Sequence, residues 1–137
     1  MIDSVDEFIR LRYSDDPSEY RRAASEPAAL EVWLELIEQH PDSRIWVARN
    51  KTVPVEVLSI LVGDPSPDVR FAVATKRKLT PELLERLAND PDESVRLQVA
   101  RHQNTLRWTL ERLGRDDWEN VASVAAQRLG HESQEDR

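Results

Sequence analysis

Two kinds of side chain that could make strong polar contacts recur along this chain at a constant interval of 26 residues. A guanidinium group is a planar fork of donors whose geometry matches a carboxylate. We therefore expect an Asp–Arg ladder between successive units, with a structural role, worth on the order of 0–1 kcal/mol for each pair that is exposed. The two columns are Arg44, Arg70 and Arg96, and Asp64, Asp90 and Asp116.

The residues that usually carry catalysis are sparse. The three histidines, His40, His102 and His131, are scattered and include no i, i+4 pair for a metal. There is no cysteine, which excludes disulfides, zinc–thiolate sites and thiol nucleophiles. The chain has only three glycines, so no glycine-rich loop can bind phosphate. We therefore predict no catalytic residue, no metal, no cofactor and no enzymatic activity.

The charged columns belong to a longer repeat. The segments 41–48, 67–74 and 93–100 resemble one another, and leucines at positions 58, 84 and 110 keep the same interval. Self-similarity at a fixed period of about 20–50 residues is the signature of stacked repeat units. Each unit buries its apolar face only against its neighbours, and such stacks usually present a binding surface.

Each repeat is predicted to contain two short antiparallel helices. In the segment 65–90, Ser66 before Pro67 and Thr80 before Pro81 are both an N-cap followed by a proline at the first helical position. Neither helix would be stable alone at this length, so the stack must hold it.

The pattern predicts one domain over residues 1–130. This domain begins with a capping helix near Ser4 to Leu11, and the repeats follow it. A polar tail, 131–137, follows. The repeats are expected at approximately 17–40, 41–64, 65–90 and 91–116, with a half-repeat at 117–130.

The motif resembles the leucine-rich repeat variant family and, more broadly, HEAT-like α-helical repeats. It stands here as Asp64-Pro65, Val69-Arg70 and Val73-Ala74, then Thr80-Pro81, Leu83-Leu84 and Leu87-Ala88. The resemblance implies an all-α fold, a right-handed α-α superhelix (solenoid) of about four and a half stacked two-helix repeats. It also implies a scaffold or binder without enzymatic activity. One type of family member carries an iron–sulfur module, which this chain, without cysteine, lacks.

The second helix of each repeat normally lines the concave side of such a stack, so its outward positions would contact a partner. Trp108 occupies a position that is glutamate in two other copies, and it is either an exposed anchor or a cap on the core. Trp46 raises the same alternatives. The predicted protein-binding residues are Glu56, Glu82, Glu85, Arg86, Trp108, Glu111 and Arg112.

The turns between the helices carry cations that would line one edge of the stack. Their ordinary role is to oppose helix dipoles and to aid solubility. The alternative is contact with nucleic-acid phosphates, which the net charge of -7 disfavours. This basic ridge consists of Arg49, Lys51, Lys76, Arg77, Lys78 and Arg101.

Composition and charge favour a cytoplasmic protein that binds another protein. The N-terminal residues do not form a secretory signal, and no apolar run is long enough to cross a membrane. A net charge of -7 favours a basic or mixed-charge partner, as for a stoichiometric inhibitor of the immunity-protein type. The alternatives are nucleic-acid binding through the basic ridge, and a structural module that self-associates through the C-terminal half-repeat.

Overall fold

The computed structural model describes the backbone of residues 1–135 and the side chains of residues 1–130. Throughout that part the regular secondary structure is helical, as predicted, apart from one isolated parallel bridge between Ile2 and Ala28. A short 3-10 turn, Pro41–Ser43, precedes α4. The helices are α1 (Val5–Arg12), α2 (Pro17–Ser25), α3 (Leu30–Gln39), α4 (Arg44–Arg49), α5 (Val55–Leu61), α6 (Pro67–Ala74), α7 (Pro81–Leu87), α8 (Glu93–Arg101), α9 (Arg107–Leu113) and α10 (Glu119–Glu135).

Local capping chemistry places several helix starts where the sequence predicts them. Ser4 caps α1, its Oγ accepting a hydrogen bond from the backbone N–H of Glu7 at 3.0 Å. Thr80 caps α7 in the same way, with Pro81 as the first helical residue. In the copy that lacks this Thr-Pro pair, α9 begins after Leu106, which provides no side-chain cap.

The last helix is longer than the predicted half-repeat. α10 continues past residue 130 to Glu135, so the first five residues of the predicted polar tail extend the helix. Gly130 disfavours a helix, but no proline follows it and glutamate and glutamine are good helix formers, so the helix continues through the glycine. The remaining two residues, 136 and 137, lie outside the described residues.

The chain forms two compact units, residues 1–73 and 74–137, here called the N-terminal unit and the C-terminal unit. The core of the N-terminal unit includes Phe8 and Trp33, which are buried and meet edge to face with ring centroids 5.6 Å apart. In the C-terminal unit α10 packs against both α8 and α9, where Val95, Val99 and Leu110 are fully buried.

A column of small residues follows the repeat, as expected for closely packed helices. Ala48, Ala74 and Ala100 are completely buried. Ala126, which follows Ala100 by the same interval of 26 residues, is exposed instead. The three buried alanines lie in helices that a second helix follows, whereas no further helix follows α10 in the part of the chain that the structure describes.

A cluster of ion pairs at the start of the N-terminal unit makes folding sensitive to acid. Glu26 accepts a hydrogen bond from Arg22 Nε at 2.5 Å and pairs with the amino group of Met1 at 3.1 Å. These contacts, that of Arg22 first, hold the pKa of the Glu26 carboxyl at about 2 instead of 4.5. Because the folded-state pKa is the lower one, this stabilisation is present above pH 4.5 and is lost as pH falls towards 2.

Between pH 4.5 and about 2, we expect the free energy of unfolding to fall less for Glu26→Gln than for the wild type. Urea unfolding at a series of pH values should give a shallower decline for this variant than for the wild type, because one carboxyl that binds a proton on unfolding is gone. Glu38→Gln, at an exposed position, is the matched control and should retain the wild-type slope. Identical slopes for Glu26→Gln and the wild type would contradict the assignment.

Candidate protein-binding surface and the polar columns of the repeat

The side chains of the arginine and aspartate columns pair within a repeat, whereas the predicted contact between successive repeats runs from the arginine to the backbone carbonyl oxygen of the aspartate. Arg96 donates to both carboxylate oxygens of Asp116, at 2.8 Å from Nε and 3.2 Å from Nη2. Arg44 Nη1 lies 3.4 Å from Asp64 Oδ2. In both pairs the aspartate follows its arginine by twenty residues, so the arginine of the first helix reaches the aspartate after the second helix of the same repeat.

The same arginines also contact the end of the preceding repeat. Arg96 Nη1 donates to the carbonyl oxygen of Asp90 at 2.8 Å, and Arg44 Nε donates to that of Ile37 at 2.7 Å. Burial raises the pKa of Asp116, but its hydrogen bonds from Arg96 and from the Trp118 N–H outweigh that effect and leave the pKa below its ordinary value. These side chains therefore have a structural role, as the sequence indicated.

A second polar column, which was not predicted from the sequence, connects neighbouring repeats within each unit. Asn50 is completely buried. Its Nδ2 donates to the carbonyl oxygens of Ala23 at 2.7 Å and Glu26 at 3.1 Å, and its Oδ1 accepts from the N–H and hydroxyl of Thr52 at 2.8 and 2.6 Å. One side chain thus satisfies two carbonyls at the C-terminal end of α2, the first helix of the previous repeat.

His102 and Arg128 occupy the same column in the C-terminal unit. The His102 Nε2 lies 2.6 Å from the carbonyl oxygen of Lys76, which can only accept, so Nε2 carries the proton. Its Nδ1 accepts from the Asn104 N–H at 3.0 Å. Arg128 Nη1 donates to the carbonyl oxygens of Ala100 at 2.9 Å and His102 at 2.5 Å.

The signal that could have revealed this column is its spacing. Asn50, Lys76, His102 and Arg128 are each 26 residues apart. Their side chains differ in size and charge, and they have in common only a nitrogen that can donate. His102, which appeared in the sequence as one of three scattered histidines, is a buried structural donor.

The predicted basic ridge is divided between the two units. Arg49 and Lys51 are exposed in the N-terminal unit, and Arg77, Lys78 and Arg101 are exposed in the C-terminal unit. Arg77 and Arg101 line one shallow hollow of about 190 Å³.

Lys76, a member of the basic ridge, has a lowered pKa. Its burial, and secondly the neighbouring Lys78, lower the pKa of its ammonium group from 10.5 to about 8. At slightly alkaline pH the ridge therefore loses part of the charge that the sequence assigned to it.

The predicted protein-binding residues of the C-terminal unit come from two helices, α7 and α9. Trp108 is 53% exposed, so the alternative in which it caps the core is wrong. Glu85 is half-buried and forms an ion pair with Arg112. Glu56 is exposed, but it lies in the N-terminal unit. The remaining members are exposed in the C-terminal unit, and they are Glu82, Arg86, Glu111 and Arg112.

Contacts between side chains hold Trp108 in a defined setting. The guanidinium carbon of Arg112 lies 5.8 Å from the centroid of the Trp108 ring, within the range of a cation–π contact. Arg112 also forms an ion pair with Glu85, whose other carboxylate oxygen accepts from the hydroxyl of Thr109 at 2.6 Å. The guanidinium of Arg112 and the hydroxyl of Thr109 thus connect α9 to the Glu85 carboxylate of α7.

Charges of the two signs balance on α7 and α9. The two helices carry three carboxylates and three guanidiniums, and Arg107 Nε lies 3.3 Å from Glu111 Oε1 in an exposed i, i+4 pair. This surface therefore has mixed charge with no net excess, although the chain as a whole is acidic. The carboxylates are those of Glu82, Glu85 and Glu111, and the guanidiniums are those of Arg86, Arg107 and Arg112.

Comparison with known proteins gives no relative from which a role could be taken. No family model, curated protein or solved structure matches this chain. The resemblance to leucine-rich repeat variants stays a prediction. Over the described residues, no helix has both the length and the apolar character needed to span a membrane. No cluster of three or more histidine, aspartate or glutamate side chains is placed there to hold a metal ion.

Proposed function

We propose that this protein binds another protein through the exposed faces of α7 and α9, with Trp108 as the anchor. The observation that carries this proposal is that the indole of Trp108, on α9, is 53% exposed. The repeat does not require an aromatic side chain there, because Glu56 and Glu82 occupy the equivalent positions. Tryptophan and arginine are enriched among the residues that dominate binding energy at interfaces.

The balance of charge on α7 and α9 narrows the chemistry of the partner. A surface with equal numbers of carboxylates and guanidiniums favours a mixed-charge partner that offers an apolar recess for the indole. A purely basic partner is a weaker match. The Glu85–Arg112 pair also matters for experiments, because Glu85→Lys would disrupt the surface itself. Glu82 is the better position for testing the role of acidic charge.

The proposal places this surface on a right-handed superhelix of stacked repeats in a single cytoplasmic domain. Support for the stacking comes from the 26-residue period and from the two polar columns that connect one repeat to another within each unit. A stoichiometric inhibitor of the immunity-protein type is one protein class with this combination of small size, acidity and a binding surface. Function through binding requires no catalytic residue.

Nucleic-acid binding through the basic ridge is the alternative from another class. The half-buried Lys76, with its pKa of about 8, weakens that alternative. Nucleic-acid binding and the proposed protein binding differ in their dependence on salt. For binding through phosphate contacts, the logarithm of the affinity falls steeply and linearly with the logarithm of the salt concentration. Binding at the balanced surface of α7 and α9 should change little over the same titration.

Self-association is the second alternative. Trp118, at the start of the C-terminal half-repeat, is 48% exposed, close to the value for Trp108. Burial of two indoles at a symmetric contact would favour a dimer. Static light scattering of the purified protein measures this directly, and a mass of twice the chain would favour self-association over the proposed partner.

Photo-crosslinking tests the proposed surface. We expect a benzophenone amino acid at position 108 to give one crosslinked adduct with a host protein, and excess unlabelled wild-type protein should suppress it. The same group at position 118 is the matched control, because Trp118 is exposed to a similar degree in the same unit. Equal yields of one adduct from both positions, or an adduct with this chain alone, would contradict the proposed anchor.

A further inference from the structure

A cleft in the N-terminal unit has the size and walls of a small-ligand site. It has a volume of about 420 Å³, within the range of about 300–1,000 Å³ that is usual for small-molecule sites. Its walls come from α1, α2 and α4, and most of them are apolar. The lining residues are Arg12, Tyr20, Ala23, Ala24, Trp46 and Arg49.

Two arginines in this cleft lie beside Trp46. The guanidinium carbon of Arg12 is 3.4 Å from the centroid of the Trp46 ring, and that of Arg49 is 5.2 Å from it. Among the described residues, neither side chain forms an ion pair or donates a hydrogen bond to an acceptor of the protein. The Arg12 Nε is buried and has no hydrogen-bond partner, which is costly for a charged donor.

The local charge of the cleft is opposite to that of the chain. The chain has 26 acidic and 19 basic residues, but no aspartate or glutamate is among the described residues that line the cleft. Two guanidiniums held against apolar walls form a positive site of low polarity, where an anion would interact more strongly than in water. The cleft thus has donors for an anion and apolar area for the body to which that anion is attached.

We propose that this cleft binds a small-molecule carboxylate with an aromatic or large aliphatic body. Arg12 and Arg49 would bind the carboxylate, and Trp46, Tyr20 and the small side chain of Ala23 would contact the apolar part. A carboxylate is favoured over a phosphate because only two guanidiniums are present, and a dianion is harder to desolvate among apolar walls. This site lies in the N-terminal unit and is independent of the protein-binding function proposed for α7 and α9.

The test uses N-acetyl-L-phenylalanine as the probe, with its carboxamide and phenyl phosphate as comparisons. Binding is followed by nuclear magnetic resonance through the indole N–H of Trp46, assigned by its loss in Trp46→Phe. We expect the carboxylate to shift that signal saturably, and the carboxamide to bind about tenfold more weakly. Equal affinity for the carboxamide, tighter binding of phenyl phosphate, or no saturable shift with the carboxylate would each overturn the proposal. The proposal would also be overturned if a peptide that ends in phenylalanine bound much more tightly than N-acetyl-L-phenylalanine. That result would mean that the cleft binds the C-termini of polypeptides.

Variants of the arginines make the test specific to this cleft. Arg49→Gln should weaken binding of N-acetyl-L-phenylalanine about tenfold. This variant is expected to fold, because Arg49 is exposed and its side chain forms no ion pair with the described residues. Arg21→Gln, at an exposed position of α2 outside the cleft, is the matched control and should bind as the wild type does. An unchanged dissociation constant for Arg49→Gln would overturn the proposal.

Discussion

Replacement of Asn50 by aspartate is expected to lower the free energy of unfolding by about 3 kcal/mol or more. The substitution keeps the shape of the side chain but turns the Nδ2 donor into an acceptor. A carboxylate oxygen would then face the carbonyl oxygens of Ala23 and Glu26, which Nδ2 approaches at 2.7 and 3.1 Å. Because the Asn50 side chain is completely buried, the carboxylate that replaces it could not turn to water.

Urea unfolding of Asn50→Asp and Asn120→Asp measures this effect against a matched control. Both substitutions add one negative charge, but Asn120 is exposed in the first turn of α10, where a carboxylate is neutral or slightly favourable. Asn120→Asp should therefore stay within about 0.5 kcal/mol of the wild type. Similar midpoints for the two variants would show that the Asn50 column does not stabilise the packing of the repeats.

Replacement of Arg96 by methionine should cost about 3 kcal/mol of stability, the lower end of the range for breaking a buried ion pair. The side chains of Arg96 and Asp116 are only 16% and 10% exposed. The variant leaves the Asp116 carboxylate without its bidentate partner and the Asp90 carbonyl oxygen without its donor. Methionine retains the apolar stem, so most of the loss comes from the polar contacts.

Arg107→Met is the matched control for the ion-pair prediction. Arg107 also pairs with a carboxylate, that of Glu111 at 3.3 Å, but these side chains are 53% and 57% exposed. An exposed i, i+4 pair contributes only about 0.3–0.5 kcal/mol. Thermal or urea unfolding should therefore separate the two variants clearly. If Arg96→Met were as stable as Arg107→Met, the Arg–Asp column would be incidental to the repeat.

Several features of this fold could be read from the sequence because local chemistry specifies them. Thr80 followed by Pro81 specifies where α7 starts, through a side-chain cap and a preset φ angle, although the stack must hold the helix itself. The period of 26 residues identified Arg96 and Asp116 as structural. It did not indicate that they would meet each other within one repeat.

Other features depend on distances that only the folded chain sets. The exposure of Trp108 was undecidable, because alignment of the copies shows only that the position does not need an aromatic residue. The pairing of Glu85 with Arg112 depends on the distance between α7 and α9, which the sequence does not give. The contact of Arg12 with Trp46 joins segments that no sequence pattern connects. In each case tertiary packing decides what the side chain does.

The most direct test of the proposed function is the dissociation constant of the crosslinked partner for the wild type, Trp108→Ala and Trp118→Ala. A tryptophan anchor costs at least about 2 kcal/mol when truncated, so Trp108→Ala should weaken binding about thirtyfold or more. Trp118→Ala should bind as the wild type does, and both variants should be folded because both indoles are exposed. An unchanged dissociation constant for Trp108→Ala would contradict the proposal that α7 and α9 form the binding surface.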